Sequence, residues 1–512
     1  YWNATSLETH RRDFTVDGAG DSFNMGALNP EQGGPTRTSR SLAMVHLAMH
    51  DAYGHADPAA GLVTKLNIPA TSLPAPIAIP AASVSHVVAG AVAGAAIAVL
   101  KSQWKRQSSF IDSQLAHSPD DKSNRFFQYG MDLGHAVGVA MINMRETPQP
   151  NGLFKDNSNA RDDMTFSGQH GRHQPDPFSP GQGRLSTRWG NVEPFCIPKP
   201  AAGMPIHNTY IADYPPLGTP RYNAAVADVK ALGGRNSSTR NPNETVAGIY
   251  WGYDGPRGLG VPPRLYNQVV RTFVEQNGGN TAAENAKLFA MINVGMADAA
   301  IVAWSAKYHA EYDLWRPVVG IRSHDNGFGK GHGSHPNLFA PTAPASGVSA
   351  FCDPGWAPLG RPDTNGNAHT RTPDFPAYPS GHATFGAVAF RLTALFFAAK
   401  KGITTKKAMN DLKFTFISDE YDGANRDPNG DIRVYHPREF SLREAIIENA
   451  ISRVYLGVHW RFDGLGAVAP DDLEGPIPTD PSFGVKLTPA REKKLGGVPI
   501  GLKVANQVLA NF

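Results

Sequence analysis

Three short segments in the C-terminal half of the chain carry residue types suited to holding an anion. The first, WSAKYHAEYDLWRP, contains Lys307 and Arg316; the second, FPAYPSGHATFG, contains Ser380, Gly381 and His382; the third, SRVYLGVHWRFD, contains Arg453, His459 and Asp463. Three cations, a hydroxyl, an unhindered backbone N–H and two imidazoles suit a tetrahedral or trigonal-bipyramidal oxyanion of phosphate type, whose oxygens only accept and whose charge must be met by donors. Pro379-Ser380-Gly381-His382, running into an Ala/Phe-rich stretch, reads as a loop entering a helix. Free N–H groups and the positive helix end would favour an anion at Ser380 and Gly381. Arg453 and His459 would lie roughly 240° apart around an unbroken helix. They can converge only if the chain turns between them, and Gly457 supplies a stop. Each segment alone has a plainer reading: a loop turn, an ion-pair network, a structural Arg/His/Asp trio.

In their order and internal spacing, the segments resemble the signature of the vanadium-dependent haloperoxidase and acid-phosphatase superfamily: Lys...Arg-Pro, then Pro-Ser-Gly-His, then Ser-Arg-x5-His-x3-Asp. The resemblance is direct over residues 298–464 and looser in the N-terminal half, where AMVHLAMHDAY and WGNVEPF look like haloperoxidase segments. It implies an all-α fold of two packed helical bundles with long ordered loops, and a vanadate cofactor whose site also accepts phosphate. It further implies that His459 ligates vanadium axially and that Lys307, Arg316, Ser380, Gly381 and Arg453 hold the equatorial oxygens. His382 would be the acid-base group at the opposite apical oxygen, and Lys307 would polarise bound peroxide for attack by halide. Asp463 would orient His459 or pair with an arginine.

The first segment departs from the family pattern. Eight residues separate Lys307 from Arg316, where the fungal chloroperoxidase type has six; an extra pair such as Ala310-Glu311 accounts for the difference. With the spacing kept rigid, His309 would take the lysine's place. Trp304, three residues before Lys307, resembles the family's Trp-x-x-Lys and favours Lys307. Phe375, seven residues before His382, matches the chloroperoxidase type, with ordinary hydrophobic packing as the alternative reading.

The activity the resemblance implies is oxidation of bromide, with chloride or iodide as further halides, by hydrogen peroxide to hypohalous acid, which halogenates a small organic acceptor. An acid phosphatase with His459 as nucleophile and His382 protonating the leaving group is the alternative. An oxyanion-binding protein without turnover is the third reading. The long chain, the extended loop before Ser380 and the context of Trp304 favour the haloperoxidase.

The elements that must position these residues are read from the rest of the chain. Of the 512 residues, 41% are hydrophobic and 18% charged, which fits a folded, soluble chain and excludes a disordered one. Lys plus Arg is 48 against Asp plus Glu 45, so the net charge of +3 gives no general reason to bind nucleic acid or a membrane surface, and neither is expected. A homo-oligomer is left open. Gly 52 and Pro 42 predict long loops, placed at about 145–220 and 320–379. Helical periodicity covers 38–55, 280–315, 380–400 and 441–455, the last with Ser441 and Glu444 spaced as a capping box.

The uncharged stretch 75–100 carries Gly90 and Gly94 at a spacing that lets two helices approach closely. Pro76, Pro80 and His86 and the lack of a basic flank on its N-terminal side favour a buried helix over a membrane span. If the bundles come as two sets, the break GGRNSSTRNPN divides an N-terminal bundle, 1–235, from a C-terminal bundle, 236–512, that carries the site; one compact unit is the alternative. Cys196 and Cys352 rule out a disulfide-built scaffold; one bridge and two free thiols both fit. A start at Tyr1 rather than Met slightly favours an exported protein whose leader has been removed. Asn3, Asn236 and Asn243 stand in glycan-acceptor triplets, as expected by chance in a chain of this length. Asp427, Asn429 and Asp431 resemble the start of a calcium loop, but Ile432 and Arg438 stand where that loop needs Gly and Glu, so a solvated acidic loop is expected. His332 and His335 read as exposed loop histidines.

Overall fold

Apolar residues recurring every three to four positions build helices along most of the chain. The computed structural model describes residues 1–15, 30–146, 165–201, 203–325, 349–366, 371–465 and 495–512. The first helices are α1 (Trp2–Asp13), α2 (Gly34–Ala56), α3 (Val84–Gln103), α4 (Ser108–His117) and α5 (Arg125–Glu146). Further along the chain come α6 (Pro220–Leu232), α7 (Pro242–Tyr250), α8 (Pro262–Gln276), α9 (Ala282–Lys307) and α10 (Pro317–Arg322). The remainder is α11 (Gly381–Lys401), α12 (Thr405–Asn410), α13 (Leu442–Tyr455), α14 (Arg461–Gly464) and α15 (Gly497–Asn511). Strands β1 (Lys413–Phe416) and β2 (Arg438–Ser441) pair antiparallel, Lys413 opposite Ser441. The expected all-α class is what the described residues adopt; of the expected loops, 147–164, 326–348 and 367–370 lie outside them.

Among the described residues the apolar interior forms two clusters. One is built from α1 to α5 together with Val294 and Ala297 of α9; the other runs from Leu185 to Val508 and surrounds the rest of α9. A helix that serves both must be apolar on every side, and α9 is buried at nearly every position from Leu288 to Lys307. Its start is fixed by a capping box between Thr281 and Glu284. By length and composition Ala81–Gln103, α9 and α11 could each cross a bilayer; here α9 and α11 are enclosed by other helices.

The glycines of α3 do bring it against a neighbour, and that neighbour is α5. A Cβ at Gly90 would lie 2.1 Å from the Phe127 carbonyl oxygen, and one at Gly134 would lie 1.9 Å from that of Ala91. Backbones this close admit no side chain, so glycine is required on both helices.

The helical pattern over 280–315 does not persist as one helix. It stops at Lys307, and residues 308–312 turn, leaving Ala310 and Glu311 exposed. Pro317 disfavours a helical conformation for the residue before it; Arg316 is extended and serves as N-cap of α10. Both cysteines are free thiols, so no bridge forms: Cys196 is half-buried near the Val508 carbonyl, and Cys352 is buried near that of Arg322. Residues 427–431 form an exposed turn in which Asp427 pairs with Arg433. No cluster of three or more potential metal ligands occurs among the described residues. His332 and His335 lie outside them.

Candidate active site

Each polar residue of the three segments stands at the end of a helix or just beyond one, where the backbone stops satisfying itself. Lys307 ends α9, Arg316 caps α10, Ser380 caps α11, and Arg453 lies in the last turn of α13. Gly457, at φ +70°, then reverses the chain, and the N–H groups of Val458 and His459 both return to the Arg453 carbonyl. This αL residue turns the chain so that His459 faces the same space as Arg453. Gly457 also packs on Gly233, where a Cβ would meet the Gly233 carbonyl oxygen at 2.4 Å.

A cavity of about 200 Å³ opens there, with Trp304, Phe375, Gly381, His382 and His459 on its wall. The three cations are tied to it. Arg316 donates from Nε to the Phe375 carbonyl (2.8 Å) and from Nη1 to the Val458 carbonyl (2.9 Å) and His459 Nε2 (2.9 Å). Lys307 Nζ donates to the carbonyls of Pro376 (2.7 Å) and Ala377 (3.2 Å) and lies 5.0 Å from the Phe375 ring centre. Arg453 grips the carboxylate of Asp254 at 2.9 and 2.7 Å. Ser380 is buried next to Gly381; its Oγ accepts from Ala383 N, which leaves the hydroxyl proton for another acceptor. Lys307, not His309, therefore reaches the site. His309 is partly exposed and stacks edge-on against His207, so the two extra residues are absorbed in the turn.

A guanidinium can only donate, so His459 Nε2 must be an unprotonated acceptor, and Nδ1 carries the proton that it donates to Asp463 Oδ2 (2.9 Å). Asp463 thus orients this ring, and the same oxygen accepts from Trp460 N to start α14. Burial, followed by the charges of Arg316, Lys307 and Arg453, holds the imidazole well below its ordinary pKa. His382 is pushed down to about 3 by burial and then by Arg453, against the opposing effects of Asp254 and the Gly252 carbonyl. Its Nε2–H donates to that carbonyl at 2.7 Å, leaving Nδ1 as the basic atom.

Burial and then Arg316 drive Lys307 well below its usual range. Arg316 falls to about 9, chiefly through burial. Burial raises Asp463 to about 7, opposed most by Lys307. Three basic side chains are therefore buried together, and among the described residues only Arg453 has a carboxylate within ion-pair distance.

Arg316 Nη2 and Arg453 Nε and Nη1 are buried and find no hydrogen-bond partner among the described residues. Unmet buried donors of this kind are costly, and an oxyanion is the ligand that would satisfy them. Gly381 contributes in the same sense: a Cβ there would press on the Trp304 ring at 3.3 Å, whereas glycine leaves the helix N-terminus open. Trp304 is anchored through Nε1 to the Leu185 carbonyl and packs on Phe375 at 4.8 Å between ring centres.

Asp254, the counter-ion of Arg453, was not anticipated from the sequence. It stands in WGYDGPRG, a glycine-rich loop with no motif of its own, almost 200 residues before its partner. Burial works against its charge, but Arg453 and His382 outweigh it and hold the carboxyl below its ordinary value. Tyr266 and Asn449, which donate to the His382 carbonyl at 3.0 and 2.8 Å, were likewise unforeseen.

Comparison with known proteins agrees with this geometry. Residues 1–118 match the family described as vanadium chloroperoxidase N-terminal domain, and residues 287–469 match the second helical-bundle domain of the same enzyme, together more than half of the chain. The vanadium chloroperoxidase of Curvularia inaequalis is 29% identical in an alignment of 592 positions that covers 100% of this chain and 89% of that protein. Among solved structures, the first bacterial vanadium-dependent iodoperoxidase superposes with a TM-score of 0.60 at 16% identity, covering 100% of this chain and 96% of the other. An apo-type bacterial vanadium-dependent chloroperoxidase gives 0.56 at 11% identity, with 93% of each chain covered. The chain belongs to the vanadium haloperoxidase family.

Proposed function

We propose that the protein is a vanadate-dependent haloperoxidase that oxidises bromide, and chloride or iodide where its potential allows, with hydrogen peroxide. The observation that carries this reading is the set of buried donors on Arg316 and Arg453 without a partner among the described residues, beside an imidazole whose Nε2 lone pair is free of a proton. When bound, vanadate supplies a Lewis-acidic centre that activates peroxide without changing its own oxidation state. His459 would hold it through Nε2, with Asp463 fixing the ring from the other side. Lys307, Arg316, Arg453, the Ser380 hydroxyl and the Gly381 N–H would meet its oxygens. His382, neutral in the free site, is the group that takes or returns a proton at Nδ1. Trp304 and Phe375 keep the cationic cluster dry and so keep each of its hydrogen bonds strong. In the overall reaction hydrogen peroxide, a halide ion and a proton give hypohalous acid and water.

The test loads metal-free protein with vanadate and follows peroxide- and bromide-dependent halogenation of an organic acceptor, with a phosphate monoester assayed in parallel. Halogenation is expected. Ester turnover without halogenation would instead identify a phosphatase working through His459. His459→Ala should release vanadate on gel filtration, and undiminished retention would remove that residue from its assigned place.

A further inference from the structure

Tyr253, buried next to the site, holds a backbone conformation that it does not favour. Its φ is +42°, in the left-handed region that a bulky L residue keeps only where its surroundings hold it there. Both of its neighbours reach the site. The Gly252 carbonyl accepts His382 Nε2–H at 2.7 Å, and the Asp254 carboxylate grips Arg453. The dihedrals of Tyr253 set how one of these groups is turned relative to the other, so its left-handed turn lets adjacent residues serve His382 and Arg453 together.

What holds the turn comes from a segment 167 residues further on. Glu420, fully buried, accepts from Tyr253 N through Oε1 at 3.2 Å. Asp419 N donates to the Tyr253 hydroxyl at 2.9 Å, and that hydroxyl donates to Gln268 Oε1 at 3.1 Å. Gly252 packs so closely that a Cβ there would lie 3.0 Å from Glu420 Oε1 and 2.6 Å from the Pro362 ring. The other carboxylate oxygen, Oε2, is taken by Arg433 and Thr364. One oxygen of Glu420 therefore serves the ion pair and the other serves the turn. Asp254, His382 and His459 stand on the cavity wall; Glu420 and Tyr253 lie behind it.

We infer that Glu420 is a positioning residue for His382: by accepting the Tyr253 N–H it fixes the turn that presents the Gly252 carbonyl to His382 Nε2–H, and so holds the imidazole with Nδ1 free to take or return a proton. It touches no reacting atom and acts through the backbone of Tyr253 and Gly252. This rests on the haloperoxidase reading for what His382 does, and on the hydrogen bonds alone for how the ring is held.

Two double variants separate this role from that of a mere counter-ion to Arg433, because both lack the ion pair. E420Q/R433M keeps an amide oxygen for Tyr253 N; E420L/R433M offers none. Full-length protein carrying isotopically labelled histidine is observed by NMR first, without vanadate, peroxide or halide. The His382 Nε2 proton, identified by its absence in H382Q, should be protected from solvent exchange in the parent and in E420Q/R433M and lost in E420L/R433M. With saturating vanadate, kcat for bromination should be about 10- to 100-fold lower in E420L/R433M than in E420Q/R433M, with the same KM for bromide. If E420L/R433M does not fold, Glu420→Asp gives the reading, since it keeps a carboxylate for Arg433 but is one methylene too short for Tyr253 N; it should lose the same proton signal. A protected proton and equal kcat in both double variants would overturn the positioning role, and so would an equal loss in both. A proton signal that follows the acceptor, in a protein whose parent form does not halogenate, would remove the haloperoxidase reading and leave the placement of His382 by Glu420 standing.

Discussion

Arg433 and Arg316 are both buried guanidiniums, 5% and 1% exposed, held in opposite ways. Arg433 donates to Asp427 at 2.6 Å and to Thr364 at 2.8 Å, and pairs with the buried carboxylate of Glu420. Burial opposes its charge, but Glu420 and Asp427 together outweigh it and keep the pKa above the ordinary value. Arg316 has carbonyls and an imidazole for partners, keeps one donor unmet and is depressed to about 9 by burial. The first arrangement is complete and supports the fold around β2 and the loop before it. The second keeps a donor unmet among the described residues, and an oxyanion would complete it.

Cutting the complete network should have the largest effect. Arg433→Met leaves Glu420 buried without its counter-ion, and urea denaturation should show a loss of about 3–5 kcal/mol with vanadate retention intact. A variant as stable as the parent would erase the distinction between the two sites. Filling the incomplete network comes next: phosphate or vanadate at about 100 times its Kd should stabilise the protein by about 2.7 kcal/mol. Arg316→Met should abolish that gain, and a gain of equal size in the variant would place the anion elsewhere.

Lys307→Met sharpens the contrast, because it removes a charge that no carboxylate pairs with among the described residues. Oxyanion affinity should fall about 10- to 100-fold by titration, while the anion-free protein keeps its stability at neutral pH or gains some. The sign of the pH dependence follows from the depressed folded pKa of Lys307. Between that value and the ordinary ~10.4 the unfolded chain binds more protons, so stability rises with pH. The parent should therefore gain on the variant from pH 7 to pH 9.5 in paired denaturation curves, and parallel curves would mean that the lysine is not depressed. The smallest change is Asp463→Asn, which leaves an acceptor for Trp460 N but weakens the hold on His459 Nδ1–H. About tenfold weaker oxyanion binding is expected by titration.

The parts of the site that could be read in the sequence are those whose geometry is local. Ser380 and Gly381 were legible because a cap and the helix behind it are contiguous. Arg453, Gly457, His459 and Asp463 were legible because one turn at a helix end fixes all four. Lys307 was harder, since a two-residue insertion changes the spacing to Arg316 without moving either flank, and only the exposure of Ala310 and Glu311 shows where the extra length goes. Asp254, Tyr266 and Asn449 were out of reach because nothing beside them in the chain reports a partner far away in sequence. The end of α9 at Lys307 was missed because the apolar rhythm runs on past it to residue 315, carried by Tyr308, Tyr312, Leu314 and Trp315, which are buried from the turn and the segment behind it and not from a helix.

The sequence by itself determined the helical class, the close glycine contact of α3, the caps of α11 and α13, and the residue types that meet an oxyanion. These depend on periodicity and on neighbours within a turn or two, which the order of residues encodes directly. Only the tertiary structure decided which buried cations receive a carboxylate and which do not, and which tautomer His459 adopts. It alone decided that Glu420 reaches the turn between Gly252 and Asp254. Those outcomes depend on distances between segments up to about 200 residues apart, which are set when the helices pack and long-range Coulomb and desolvation terms are settled together.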